Sequence, residues 1–322
     1  MLTTGLSVHK LAGYAPALPT PFDKNDDVDY GALERLCDSL LRHRVHALVV
    51  CGTTGEAPTL SRAEHTEIIK VARAAAHGRI PVIAGAGSNS TSDAVDLARD
   101  AEAAGADALL CVVPYYNKPT QTGMCAHFQT IARATGLPII LYDVPSRCAC
   151  GLSDDTLARL AESEQFIGLK DATGDVARVP RLRWRLGNHF RLLSGDDATA
   201  LAFIASGGNG CISVTANVAP GLCGDMFLAC RHGQVARAQR LAAVVAQLTA
   251  VLFKESNPSP LKYALHLLGI MSPTVRLPLV EPTEQSKAEI AMMIAQLYDQ
   301  YADEMVEAAG VVVPGGIRAA AS

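Results

Sequence analysis

The chain has 322 residues, 49% of them apolar and 19% charged, with a formal net charge of −4 at pH 7, which excludes a disordered or fibrous chain and leaves room for one large barrel domain or two ordinary ones. It has no basic surplus for neutralising a phosphate backbone and no dense Lys/Arg patch, so nucleic acid is not an expected partner. The first ten residues lack the apolar core of a signal peptide and nowhere do eighteen apolar residues run together, which predicts a cytoplasmic protein without a membrane partner.

In chain order, short β-branched and apolar runs fall at residues 14–18, 47–51, 81–84, 108–113, 138–142, 166–170, 190–194 and 210–213. Longer amphipathic stretches separate them. At 30–43, Leu33, Leu36, Cys37, Leu40 and Leu41 recur at helical spacing. Ser61 stands three residues before Glu64, the spacing of a capping box, and Ser92 is placed to cap a helix over 92–104. Eight consecutive βα units fit a closed parallel (β/α)₈ TIM barrel better than an open doubly wound sheet. Beyond Pro220 the strand signals stop, and helical patterns follow at 221–232, 234–253, 257–269 and 283–301. The most apolar stretch, 242–253, is interrupted by Gln247 and Thr249 and is too short for a span, so it reads as a bundle helix. The expected division is a barrel over 1–219, a C-terminal helical extension over 220–307, and a tail over 308–322 that is frayed or forms an extended lash.

The nine cysteines include no C-x-x-C pair. Cys51, Cys111 and Cys211 lie inside apolar runs and read as core residues. Cys148 and Cys150 form a C-x-C after a turn, and two thiols fall short of the four ligands of a structural zinc site, so no metal is expected.

A parallel barrel places its active site at the carboxyl ends of the strands. Those ends are polar here: Gly-Thr-Thr-Gly-Glu (52–56), Gly-Ala-Gly-Ser-Asn (85–89), Pro-Tyr-Tyr-Asn (114–117), Tyr-Asp-Val-Pro-Ser-Arg (142–147), Lys-Asp-Ala-Thr-Gly (170–174), Ser-Gly-Asp-Asp (194–197) and Ser-Val-Thr-Ala-Asn (213–217). Lys170 ends the apolar run Phe166 to Leu169. Desolvating an ammonium favours the neutral amine, which can attack a carbonyl; a salt bridge to Asp171 is the equal alternative from position alone. Tyr142 ends the neighbouring strand and could shuttle a proton to that amine or simply pack. Thr53 and Thr54 offer hydroxyls beside two glycines, for a ligand carboxylate or for a plain turn. Arg147 presents a fork suited to a carboxylate or to a surface ion pair.

Taken together, Ala-Leu-Pro-Thr-Pro-Phe (17–22), Gly-Thr-Thr-Gly-Glu (52–56), Pro-Tyr-Tyr-Asn-Lys-Pro-Thr-Gln (114–121), Tyr-Asp-Val-Pro-Ser-Arg (142–147), Gly-Leu-Lys-Asp-Ala-Thr-Gly-Asp (168–175), Ser-Gly-Asp-Asp (194–197) and Ile-Ser-Val-Thr-Ala-Asn (212–217) resemble the dihydrodipicolinate synthase family of pyruvate-dependent class I aldolases. The resemblance runs from residue 13 to residue 295. It implies no cofactor beyond a covalent imine between Lys170 and pyruvate, with proton passage by Tyr142. Thr53 and Tyr116 would complete the relay, Tyr116 reaching in from a neighbouring subunit of a homo-oligomer, commonly a dimer of dimers. Thr54 and the backbone at Ile212 would hold the pyruvate carboxylate, with Gly195 beside the substrate, and Arg147 would hold the carboxylate of aspartate 4-semialdehyde. The chain departs from the family at Asp143, where Asn is frequent, and at Cys148-Ala149-Cys150, where Thr is common after the Arg. A family site for feedback by lysine corresponds to His65, Asn89, Asp93 and Tyr115. Asp93 and Arg62 stand where inhibited enzymes carry Glu and His, which implies weak or absent lysine inhibition.

Other readings of the same residues are a Schiff-base aldolase or lyase acting on a sugar acid or another aldehyde, and a non-catalytic small-molecule-binding barrel. A nucleotide-binding oxidoreductase, suggested by Gly85-Ala86-Gly87, lacks the third glycine of the dinucleotide fingerprint.

Overall fold

The computed structural model describes residues 11–306; the expectations for the first ten residues and for the tail over 308–322 lie outside them. Eight parallel strands, β1 (Gly13–Pro16), β2 (Leu48–Val50), β3 (Val82–Gly85), β4 (Ala108–Val112), β5 (Ile139–Asp143), β6 (Phe166–Asp171), β7 (Arg191–Ser194) and β8 (Gly210–Ser213), pair in the order β1-β8-β7-β6-β5-β4-β3-β2. The two end strands meet through an Ala17–Val49 bridge, where the Leu18 N–H donates to the Val49 carbonyl at 2.8 Å, so the sheet closes on itself as the expected (β/α)₈ barrel.

Helices alternate with the strands: α1 (Tyr30–Arg42), α2 (Arg62–Ala76), α3 (Thr91–Ala103), α4 (Gln121–Arg133), the single turn α5 (Pro145–Cys148), α6 (Asp154–Leu160), α7 (Arg178–Leu186), α8 (Ala200–Ala205) and α9 (Pro220–Arg231). The apolar positions of α1 are its buried face, and Asp29 caps it by accepting from the Ala32 N–H. The capping box at the start of α2 is present in full. At α3 the expectation shifts by two residues: Ser90 is the cap, accepting from the Asp93 N–H, and the Ser92 hydroxyl shares a hydrogen bond with that of Ser90 at 3.0 Å. β3 and β5 each begin one residue later than the apolar runs, because Pro81 and Pro138 have no N–H for the ladder, yet their carbonyls still accept from Leu48 and Leu109.

α9 packs against β1, and α10 (Val235–Leu252), α11 (Ser259–Leu267) and α12 (Glu284–Tyr301) pack on one another beyond it. By length and composition α10 is apolar enough to cross a membrane. It packs against α9, α11 and α12, and Thr249 on its buried face shares a hydrogen bond with Thr215 at 2.9 Å. Cys51, Cys111 and Cys211 are buried, as expected for core thiols, and all nine cysteines are unpaired.

Candidate active site

Alternation along a strand decides what reaches the barrel mouth. In the register of β5 with β6, Tyr142 pairs with Lys170 and Asp143 with Asp171. The first pair points one way: the Lys170 Nζ lies 4.2 Å from the centroid of the Tyr142 ring, and both residues are only 6% exposed. The second pair points the other way, to Arg178 at the start of α7. There the guanidinium donates to Asp143 Oδ2 at 2.9 Å, to Asp171 Oδ2 at 3.3 Å and to Asp154 Oδ1 at 2.9 Å. Asp171 also accepts from the hydroxyl and the N–H of Thr173. Its carboxylate is therefore occupied, and Lys170 makes no ion pair among the described residues, which closes the salt-bridge alternative. Asp143 likewise faces Arg178 and the Leu152 N–H rather than the mouth. Burial raises its carboxyl above the ordinary range, opposed by the bond from Arg178.

Gly195, following β7, is where the lysine stem passes. A Cβ built there would lie 2.9 Å from Ala172 Cβ and 3.0 Å from both Cε and Cγ of Lys170. The next acid, Asp197, is buried and accepts from the Ser213 hydroxyl at 2.5 Å and from the N–H groups of Val214 and Thr215 at 2.8 and 3.1 Å. It ties the end of β7 to the end of β8. Ile212 is buried within β8, in register with Ala15.

A crevice of 670 Å³ reaches Tyr142 and is lined by Thr53, Tyr142, Arg147, Cys148 and Asn257 together with His65, Asp93 and Tyr115; Lys170, Gly195 and Ile212 are not among its lining residues. Of the four positions expected for a lysine site, His65, Asp93 and Tyr115 thus line the same crevice as Tyr142 and Arg147, and Asn89 does not. Within it His65 Nε2 bonds the Gly85 carbonyl at 2.7 Å, and burial lowers the His65 imidazole below its ordinary value. Asn89 offers its carbonyl to the Asn117 amide at 2.8 Å. Arg147 is exposed on α5, forms no ion pair among the described residues, and has one weak bond, at 3.5 Å, to the Asn257 carbonyl. Cys148 is buried beside it, and the Cys150 thiol donates to the Pro114 carbonyl at 3.0 Å. Tyr116 does not line the crevice; it is 89% exposed with a left-handed φ of 71°. The glycines of the weak dinucleotide signal have a packing reason: a Cβ at Gly85 would fall 2.0 Å from the Cys51 carbonyl oxygen, and one at Gly87 2.4 Å from the Val112 nitrogen.

Thr54 was expected at the site, but the residues that hold its loop, Asn257, Lys262 and Arg276, have no counterpart in the sequence analysis. Thr54 is 3% exposed, and its hydroxyl oxygen accepts from Asn257 Nδ2 at 3.0 Å. Glu56 forms a buried ion pair with Lys262 at 2.5 Å and accepts from the Arg276 N–H at 3.0 Å. Arg276 also reaches the Thr59 carbonyl and Glu64. The segment after α10 therefore grips the loop that carries Thr53 and Thr54. One local signal was available, since Lys262 stands among Pro260, Leu261, Ala264 and Leu265 on the buried face of α11.

A closed parallel barrel with an unpaired, buried lysine beside a tyrosine at the carboxyl ends of adjacent strands defines an enzyme of the class I aldolase type. The dihydrodipicolinate synthetase family model matches residues 10–297. A 4-hydroxy-tetrahydrodipicolinate synthase from Nitrobacter hamburgensis is 51% identical over 274 residues, covering 85% of this chain and 92% of its own. One from Bradyrhizobium diazoefficiens is 48% identical over 281 residues, covering 87% and 95%. The crystal structure of the chloride-inhibited dihydrodipicolinate synthase from Acinetobacter baumannii complexed with pyruvate matches with a TM-score of 0.85 at 43% identity, covering 88% of this chain and 97% of that one. The chain belongs to the dihydrodipicolinate synthetase family and is a lyase.

Proposed function

We propose that the chain condenses pyruvate with L-aspartate 4-semialdehyde in the cytoplasm, the 4-hydroxy-tetrahydrodipicolinate synthase reaction of lysine and diaminopimelate biosynthesis. The observation that carries the reading is the buried Lys170 amine, free of any carboxylate among the described residues, with the Tyr142 ring 4.2 Å away. The amine attacks the keto carbon of pyruvate and water leaves, forming an imine. The protonated imine acidifies the methyl group, whose proton departs to give an enamine. The enamine carbon attacks the aldehyde carbon. The amino group of the semialdehyde portion then adds to the imine carbon and displaces the Lys170 amine, closing the ring.

In this scheme Tyr142 passes protons, with Thr53 and a Tyr116 contributed by a neighbouring copy. The exposure of Tyr116 suits a role outside its own chain, and with it a homo-oligomer, a dimer of dimers. The Thr54 hydroxyl and the Ile212 backbone hold the pyruvate carboxylate. Arg147, exposed at the crevice without an ion-pair partner among the described residues, holds the carboxylate of the semialdehyde. The imine itself is the only reactive group required, without a cofactor. The test is steady-state kinetics with pyruvate and either aspartate semialdehyde or sugar aldehydes. A higher kcat/KM with aspartate semialdehyde is expected; preference for a sugar aldehyde overturns the substrate assignment and leaves the imine intact.

A further inference from the structure

The loop that bears Thr54 is fixed by residues more than two hundred positions away. Asn257 is 6% exposed, its Nδ2 donates to Thr54 Oγ1 at 3.0 Å, and its Oδ1 is buried without a partner among the described residues. Two links hold Asn257 at that distance. Lys262 pairs with Glu56, two residues beyond Thr54, with both side chains at most 1% exposed, and the Arg276 N–H donates to the other oxygen of Glu56. Lys262 also donates to the Thr274 carbonyl at 2.8 Å and lies 4.0 Å from the centroid of the Phe22 ring.

A hydroxyl has one proton to give and lone pairs to accept with, and a carboxylate can only accept. A threonine next to an anionic ligand is useful only if its proton is directed at the ligand. The amide N–H of Asn257 fills an acceptor site on Thr54 and offers that proton no acceptor. The proton is thereby left free for a ligand carboxylate. An aspartate at position 257 would do the reverse, accepting the proton of Thr54 and turning it away.

We propose that Asn257 is a positioning residue for the keto-acid subsite: by donating to Thr54 it commits the Thr54 hydroxyl to donate to the substrate carboxylate, and the Glu56–Lys262 pair holds it in place. This rests on the pyruvate-binding role given to Thr54 above. It makes the C-terminal extension part of substrate recognition, although no residue of it need touch the substrate.

The experiment compares wild type with Asn257→Ala, Asn257→Asp, Thr54→Val and the Asn257→Ala/Thr54→Val double variant. It measures KM for pyruvate, kcat at saturating pyruvate, and borohydride trapping of pyruvate on the protein. Losing one hydrogen bond to a charged group predicts a KM raised about ten- to a hundredfold in Asn257→Ala, with kcat little changed. Asn257→Asp, although the same shape, raises KM further. In the Thr54→Val background Asn257→Ala adds nothing, because the proton it directs is gone. Additive effects in the double variant, a loss confined to kcat, or an Asn257→Asp enzyme with wild-type KM each overturn the proposal. If Asn257→Ala does not fold, the isosteric Asn257→Asp decides by its KM alone. Wild type that traps pyruvate on Lys170 while the variants keep wild-type KM defeats this inference alone; wild type that traps nothing defeats the proposed function as well.

Discussion

Replacing Gly195 by alanine tests whether the lysine stem is held where chemistry needs it. The added Cβ would lie 3.0 Å from Lys170 Cε and Cγ and 2.9 Å from Ala172 Cβ, whereas carbon atoms rest at about 3.5 Å or more. The Lys170 stem must therefore retreat by about 0.5 Å, since Ala172 blocks the methyl on its other side. A misplacement of about 1 Å costs roughly a hundredfold in rate, so half of that predicts about a tenfold slower imine formation, or about 1.4 kcal/mol of barrier. Overpacking by one methyl group adds about 1 kcal/mol of destabilisation, read as a Tm lower by about 2–4 °C. The assay is the single-turnover rate of borohydride-trappable imine at saturating pyruvate, with a thermal melt alongside. A variant within twofold of wild type at saturation refutes the steric argument. So does one that changes only KM, which would place Gly195 against the ligand rather than against the lysine.

Arg178→Met leaves Asp143 and Asp171 buried without their cation and should cost about 3–5 kcal/mol in denaturant unfolding at neutral pH; a loss below about 1 kcal/mol would show that the three groups do not depend on one another. Burial lowers the Lys262 ammonium to about 8, against about 10.4 for a free lysine, despite Glu56 beside it. Between those values the unfolded chain holds a proton that the folded one has released, so this group makes unfolding free energy rise with pH, while the ion pair to Glu56 weakens as pH passes about 8. KM for pyruvate should therefore climb above that pH without a loss of stability from this group. A KM as flat in wild type as in Lys262→Met contradicts the coupling. In a lysine titration we expect half-inhibition no lower than millimolar, since Arg62 is engaged by Asp96 and Asp100 and Asp93 is one methylene shorter than glutamate; half-inhibition well below millimolar refutes it.

The barrel was legible because its signals are local. Apolar runs bounded by turns located all eight strands, and strand alternation carried Tyr142 and Lys170 to one face together. Boundaries slipped where a single atom decided them, as with the missing N–H of Pro81 and the choice of Ser90 over Ser92 as a cap. Arg178 was not legible, since its carboxylate partners sit on β5, α6 and β6 and meet only once the barrel closes. Asn257, Lys262 and Arg276 were further from reach, because each acts on residues 54–64 from across the chain and nothing local marks that pairing. Asp143, where the family frequently has Asn, lies beside the mouth in sequence, and only the fold shows that it turns outward onto Arg178.

The central claim is that Lys170 is the amine that takes pyruvate, and the protein offers its own competitor in Lys262, another buried lysine. Borohydride reduction in the presence of pyruvate, followed by peptide mass mapping, separates them. The account predicts a pyruvate-dependent adduct on Lys170 alone. An unmodified Lys170, or an adduct on Lys262 instead, contradicts it.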